Sequence, residues 1–208
     1  LLEDGSTIQL GIGALPNVVG AMIARSGLKD LGVHTEMLAD SYVDMYEAGR
    51  ITGKHKGIDR GKMVYTFALG SQKLYDFLDN NHVAAIFPVS YTNDPNVIGS
   101  NPKVIAINNA IEVDLFSQVA SESSGARQIS GTGGQLDFIM GAHRSEGGKG
   151  LICINSTYKK KDGSILFAVM ELEKGSGPLL EAIRALHGSD EVLSYGISDS
   201  PNGIQLYE

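Results

Sequence analysis

An α/β fold, with an open, largely parallel sheet flanked by helices, is what this sequence predicts, and three observations carry it. Short apolar runs such as "TIQL", "GVHTEML", "KMVYTFALG", "HVAAIFPVS" and "KGLICINST" read as strands. Segments with apolar residues at helical spacing stand between them. That alternation favours helical crossovers between parallel strands. Glycine supplies 26 of 208 residues, well above the usual share of about 7%, so many turns and close backbone approaches are expected. No internal repeat, low-complexity tract or linker interrupts the pattern, and residues 1–208 are expected to form one domain.

The elements follow in order. Thr7–Leu10 alternates as a strand and ends in Gly11-Ile12-Gly13; Pro16 then suits the first turn of a helix whose apolar residues are Val18, Val19, Met22 and Ile23. Gly27 closes that helix, and "GVHTEML" returns as a strand over 32–38. Asp40 and Ser41 are candidate caps for a helix running to Gly49. Residues 50–61 read as a basic, glycine-rich loop. "KMVYTFALG" is a strand, "SQKLYDFLDNN" a capped helix, "HVAAIFPVS" a strand, and "YTNDPNVIGSNP" a loop or short helix. "KVIAINNAIEVDLFSQVASES" is two strands turning near Asn108-Asn109, or one bent strand. "GTGGQLDFIMGAHRSEGG" is a glycine loop and a helix, followed by the strand "KGLICINST". A turn at "YKKKDGS", a strand "ILFAVMELE", a helix "GPLLEAIRALHG" and a short strand "EVLSYGI" complete the chain.

Composition removes several classes of function. Seventeen basic residues against 24 acidic ones, a net charge of -7, argue against nucleic acid as a partner. An anionic small ligand stays open, because helix N-termini bind anions through backbone N–H groups. One cysteine, Cys153, excludes an internal disulfide framework and reads as a buried strand residue. The five histidines form no HxH or HxxxH pair, so no metal site is expected. No run approaches the ~18 apolar residues of a membrane span, and the N-terminus lacks a signal peptide; a cytoplasmic, membrane-free protein is expected. The opening "LLEDGSTIQLGIG" has no initiator Met and reads as the continuation of something upstream.

Ligands of open α/β sheets bind beyond the carboxyl ends of the strands. Three loops are expected there: after 7–10, after 33–38, and at 130–135. Glu36 lies in the second, and the residues alone leave its role open. Strand, Gly11-x-Gly13, helix, strand and acid outline a dinucleotide-binding unit with Glu36 as the ribose carboxylate. That fingerprint needs a third glycine where this chain has Pro16. A charged residue at a strand–helix junction can also be merely solvated or a capping partner.

A resemblance sharpens the choice. "DGSTIQLGIGALPNVV", "GVHTEMLADSYVDMYEAGRITGKHKGIDRGKMVYTFALGSQKLYDFLDNN", "NAIEVDLFSQVASES", "GTGGQLDFIMGAHRSEGGKG" and "INSTY" occur in this order over about residues 2–158. Together they resemble the C-terminal half of the acetyl-CoA hydrolase/CoA-transferase family, above all its 4-hydroxybutyrate and butyrate:acetate CoA-transferases. The resemblance implies that Glu36 is a covalent nucleophile. It places Gly11, Ile12 and Gly13 beside the thioester and Asn93 in the site. It gives Gly131, Thr132, Gly133 and Gly134 a part in binding coenzyme A and in donating N–H groups to oxyanions. Coenzyme A is then a substrate, with a short-chain carboxylate as its second partner, and no metal takes part. The N-terminal half of the same protein and a homo-oligomer are the expected macromolecular partners.

Beside this, Lys54, Lys56 and Arg60 form a basic loop that either meets the CoA phosphates or is simply solvated. His34, two residues before Glu36 on a strand, shares its face and either tunes the site or packs. Asn108, Glu112, Asp114 and Glu122 read as strand and turn residues. An acyl-CoA hydrolase on the same scaffold and a non-catalytic CoA-binding module are the alternatives, and an NAD-binding Rossmann domain the outsider. Beyond about residue 170 the likeness fades: Ser194 stands where family members carry a Glu, and "SPNGIQLYE" does not match their usual end.

Overall fold

The computed structural model describes residues 1–113, 118–124 and 127–155, together with the strand segments 157–159, 165–167, 195–196 and 205–206. The expected helix "GPLLEAIRALHG" and most of the tail lie outside the described residues. The chain divides into two compact units: residues 1–109 with 132–153, and residues 110–131 with 154–208. The sequence offers no linker at these boundaries, because the chain passes between the units inside short loops rather than through a composition change.

The first unit is built on a six-stranded parallel sheet. Its strands are β1 (Thr7–Leu10), β2 (Gly32–His34), β4 (Met63–Tyr65), β6 (Ala84–Ile86), β7 (Val104–Asn109) and β12 (Lys149–Cys153), in the spatial order β12-β7-β1-β2-β4-β6. The order reverses between β1 and β7, so loops leaving these neighbours diverge and open a crevice at their carboxyl ends. The helices are α1 (Ala14–Arg25), α2 (Asp40–Glu47), α3 (Gln72–Leu78), α4 (Val89–Thr92), α5 (Pro95–Gly99) and α6 (Gln135–Arg144). β1 is buried along its whole length, as expected of a central parallel strand covered on both faces. Ile8, Leu31, Val33, Leu38, Tyr42, Met45, Met63, Leu74 and Ile105 form the main core, and Ile98, Val104, Ala106, Phe138 and Ala142 a second one.

Two strands differ from their sequence pattern in the same way. The run 32–38 is not one strand: β2 stops at His34 and a separate β3 (Met37–Leu38) follows. The run 63–70 breaks likewise at Thr66, giving β5 (Phe67–Ala68). β3 and β5 pair in parallel, Met37 with Phe67 and Leu38 with Ala68, so two adjacent strands share one interruption. Apolar residues continue on both sides of each break, which hides it from a periodicity reading.

Asp40 does not cap α2. Ala39 occupies the N-cap without a side-chain bond. The Asp40 carboxylate instead accepts from the Ser71 N–H at 2.9 Å and from the Ser71 hydroxyl at 2.8 Å, tying α2 to the start of α3.

Lys56 is the larger surprise. It is fully buried, and its ammonium donates to the carbonyls of Val33 at 3.0 Å and Lys62 at 2.9 Å. The expected role at a solvent-facing, phosphate-binding loop therefore does not fit it: the charge is spent on two carbonyls at the interior strands β2 and β4. Burial pushes its pKa from 10.5 down to about 8. Between those two values the unfolded chain holds a proton that the folded chain has released, so stability rises with pH from about 8 towards 10, by up to about 3 kcal/mol. Above pH 10 buried Tyr42, whose pKa burial raises, acts with the opposite sign. From pH 7 to 10 the urea midpoint of the wild type should climb relative to that of Lys56→Met.

The second unit contains antiparallel pairs: β8 (Glu112–Val113) with β9 (Val119–Ala120), β10 (Ser123–Ser124) with β11 (Arg127–Gln128), β13 (Thr157–Lys159) with β14 (Ile165–Phe167), and β15 (Tyr195–Gly196) with β16 (Gln205–Leu206). The long 104–124 segment is thus several strands, of which only β7 joins the parallel sheet.

Among the described residues no helix is long and apolar enough to cross a membrane, and no group of three or more His, Cys, Asp or Glu could hold a metal ion.

Candidate functional site

Glu36 occupies the shared break in the strands. The Thr35 N–H still bonds to Val64 across the sheet at 3.0 Å, and the ladder resumes at Met37. Between them the Glu36 carbonyl accepts two bonds, from the N–H groups of Thr66 at 3.0 Å and Phe67 at 3.2 Å. Its backbone is therefore fixed from the neighbouring strand, and its side chain projects beyond the carboxyl end of β2, part-buried.

Each carboxylate oxygen of Glu36 meets one amide donor. Oε1 accepts from Asn93 Nδ2 at 3.1 Å, and Oε2 accepts from the Gly134 backbone N–H at 3.0 Å. Gly134 is the N-cap of α6, so the carboxylate sits at the positive end of a ten-residue helix. Among the described residues no Lys, Arg or His forms an ion pair with Glu36. A carboxylate held by neutral N–H donors keeps its charge without a cation masking it, which suits a group that must attack or bind an electrophile.

Asn93 is placed by the helix it ends. Its own N–H closes α4 onto Val89 at 2.9 Å. His34, buried at the end of β2, donates from Nε2 to the Thr92 carbonyl at 2.8 Å. His34 thus ties the strand carrying Glu36 to the residue next to Asn93, a positional rather than a titrating role. Burial lowers its pKa to about 4; nearby Lys56 pushes the same way, while the Thr92 bond and Asp59 oppose. The unfolded histidine binds its proton near pH 6.5, so stability falls as pH drops from 6.5 towards 4, by about 3 kcal/mol. The difference in urea midpoint between the wild type and His34→Gln should shrink across that window.

Asp137, in the first turn of α6, lines the same cavity as Asn93 and Asp94. Burial raises its pKa, the Asn93 amide opposes that, and the charges of Glu36 and Asp94 raise it further. Asp137 was not evident from the sequence. An acid three residues after Gly134, on a helix whose N-terminus already holds a carboxylate, is the signal that could have found it.

The other candidates divide. Gly133 approaches Glu36: a Cβ there would stand 3.9 Å from Oε2. Thr132 is exposed beside it in sequence, and Gly131 is exposed and belongs to the second unit. Gly11 bonds through its N–H to Ile107 at 2.7 Å, at the switch point of the sheet. Gly13, at φ 132, caps α1 in a backbone region that other residues rarely enter, and Ile12 beside it is 64% exposed. Ile12 and Gly13 line a cavity of about 440 Å³ with Asn17, Met37, Asp40 and Asp44, next to the Glu36 turn. Lys54 is exposed and paired with Asp30 at 2.7 Å. Cys153 is half-buried, and burial raises its thiol pKa, which keeps it from being a ready nucleophile.

The family model described as "Acetyl-CoA hydrolase/transferase C-terminal domain" matches residues 70–177. A butyryl-CoA:acetate CoA-transferase of Anaerostipes caccae is 54% identical over 164 residues, 79% of this chain and 37% of the relative. RipA from Yersinia pestis superposes with a TM-score of 0.74 at 38% identity, covering 82% of this chain and 38% of that one. A 4-hydroxybutyrate CoA-transferase from Porphyromonas gingivalis gives 0.68 at 39% identity, covering 84% and 40%. The chain thus spans well under half the length of each of these relatives.

Proposed function

The chain belongs to the acetyl-CoA hydrolase/transferase family, and from that premise we propose that it transfers coenzyme A between an acyl-CoA and a short-chain carboxylate through a covalent intermediate on Glu36. The observation that carries this reading is the pair of N–H donors, Asn93 and Gly134, one on each oxygen of a part-exposed carboxylate that no cation among the described residues pairs with.

Glu36 attacks the thioester carbonyl; the C–S bond breaks, CoA leaves as a thiolate, and a mixed anhydride forms. The thiolate then attacks Glu36 Cδ, the first carboxylate leaves, and a glutamyl–CoA thioester remains. A second carboxylate reverses both steps and departs as the new acyl-CoA. One thioester replaces another of similar energy, so the exchange needs no ATP, redox cofactor or metal. Each step passes through a tetrahedral oxyanion, and an N–H aimed at that oxygen is worth about 2.7–4 kcal/mol. When Oε2 makes the attack, Oε1 becomes the glutamyl carbonyl oxygen and Asn93 its donor. The Gly133–Gly134 segment and the Gly11–Gly13 loop are the proposed bed for the thioester end of CoA. Butyrate, acetate and 4-hydroxybutyrate are the proposed acids, after the relatives' names. An N-terminal half like that of the relatives is the proposed partner, completing the acyl pocket.

The test is a half-reaction, for which one turnover suffices. The chain is incubated with butyryl-CoA, and its peptides are read by mass before and after borohydride reduction. A CoA adduct on the Glu36 peptide, converted by reduction, is expected; turnover without modification of Glu36 would sink the mechanism. The hydrolase alternative rests on the part-exposure of Glu36, which leaves water a path to the intermediate. It predicts CoA release that is indifferent to added acetate.

A further inference from the structure

Two carboxamides lie buried side by side at the carboxyl end of β1. Gln9 Nε2 donates to Asn108 Oδ1 at 3.1 Å, and Asn108 Nδ2 donates back to Gln9 Oε1 at 2.9 Å. Gln9 is 3% exposed and Asn108 4%. In the β1–β7 ladder Gln9 stands opposite Ala106, so Asn108 is its diagonal neighbour on the same face of the sheet. The pair sits just before the crevice where the strand order reverses. Two apolar residues would fill this place without desolvating any amide. What they would not do is fix the register. Ile8, Leu10, Ile105 and Ile107 would still find apolar neighbours after a slip of two residues, whereas the slip would strand both buried amides.

The pair reaches the glycine loop through Gly11. A Cβ on Gly11 would stand 2.6 Å from Asn108 Oδ1 and 3.3 Å from Asn108 Cα. That oxygen is held by Gln9, so it is not free to yield. A glycine also serves where φ is positive or where a bare N–H must meet a ligand. Neither duty falls to Gly11: its φ is not positive, and its N–H is already bonded to the Ile107 carbonyl. The contact repeats at the other glycine, where a Cβ on Gly13 would stand 2.7 Å from Asn109 Nδ2. Successive asparagines at the end of β7 therefore abut the two glycines of the loop.

We infer that Gln9 and Asn108 are positioning residues for the Gly11–Gly13 loop: their reciprocal bonds lock the exit of β1 onto β7, and Asn108, packed on Gly11, sets the line along which the loop leaves towards the thioester. The inference rests on the proposed reaction at Glu36, with that loop as part of the bed for the thioester end of CoA. It gives the first glycine of the loop a duty to a side chain inside the fold. Gly11 and Asn108 then act as one unit, and their losses overlap instead of multiplying.

The test is a double-mutant cycle on the rate of glutamyl–CoA formation, followed by intact mass after mixing the chain with butyryl-CoA well below each variant's melting temperature. Gly11→Ala and Asn108→Ala should each slow the reaction about a hundredfold, the scale of an ångström-sized misplacement. The double variant should also be about a hundredfold slow, against the roughly ten-thousandfold of independent losses, because the added methyl enters space that the amide has left. Losses that multiply, or either single variant as fast as the wild type, overturn the inference. Asn108→Asp supplies a readout that lost stability alone would not move. Its protonated carboxyl donates to Gln9 Oε1 and accepts from Nε2 as the amide does, and its carboxylate has nothing to donate. Burial raises such a carboxyl's pKa, so its rate relative to the wild type at the same pH should climb from about a hundredth near pH 8 towards one near pH 5. A ratio indifferent to pH overturns the inference, and this arm decides it should an alanine variant not fold. A wild type that forms no adduct overturns the covalent reading, and the inference with it.

Discussion

Glu36→Gln should fold like the wild type and lose turnover by roughly a thousandfold or more, the scale set by removal of a covalent nucleophile. The substitution keeps the shape and replaces one oxygen by NH₂. Nothing in the core depends on the charge: Glu36 is part-exposed, and its backbone is held by Thr66 and Phe67 whatever its side chain. One of the two N–H donors will now face another N–H. That costs about 1 kcal/mol, together with a few tenths for the lost charge at the α6 N-terminus. The melting temperature should therefore drop only slightly while the half-reaction vanishes. Circular dichroism melts and the butyryl-CoA adduct assay check the two halves of this expectation. A Gln variant retaining a tenth of wild-type turnover would remove Glu36 from the chemistry.

Gly134→Ala carries the second largest effect, by a different route. The backbone at 134, at φ -83 and ψ 5, is open to any residue, so the change brings no conformational penalty. The obstacle is space. A Cβ at 134 would stand 2.6 Å from Asn93 Nδ2, 2.7 Å from Glu36 Oε2 and 3.1 Å from Glu36 Cδ. A methyl group would therefore press on the carboxylate and its amide donor at once. Both side chains can swing away, so the fold should survive, but neither can then keep its bond. A displacement of about 1 Å in such a site costs on the order of a hundredfold in rate. The expected result is a near-native melt with turnover down about a hundredfold, measured by transfer of CoA from butyryl-CoA to acetate. Unchanged turnover would mean that the Gly134 N–H has no part in the chemistry.

The order of strands and helices in the first unit was legible because most of its strands write short, largely apolar runs and its longer helices amphipathic ones. What escaped were features that depend on the neighbour rather than on the run itself. The break at Thr35-Glu36 exists because β4 breaks opposite it at Thr66, and no local pattern marks either. Lys56 read as a solvated charge because its sequence neighbours are polar and glycine-rich; its burial is decided by the carbonyls of Val33 and Lys62, which the fold brings to it. Asp40 precedes a helix and reads as a cap, but the Ser71 N–H and hydroxyl compete for the same oxygens.

At the site, Glu36 could be singled out only by the resemblance, since one acid among 24 has no periodic signature. Asn93 and Gly134 then appear in the structure on its two oxygens. Asp137 stayed hidden because what brings it to the site is a cavity shared with Asn93, 44 residues earlier in the numbering, and not a motif partner.

The paired interruption of β2–β3 and β4–β5 has a consequence for how this sequence can change. The Glu36 carbonyl is received by two successive N–H groups of the adjacent strand, and the ladders on either side run in register, Val33 with Met63 before it and Met37 with Phe67 after it. A residue inserted into one break alone would shift every later pairing and turn the core faces of Met37 and Leu38 outward. Insertions and deletions at 35–36 and at 66 are therefore tolerable only as matched pairs. The spacing of the two segments, more than the identity of any residue in them, is what descent must preserve.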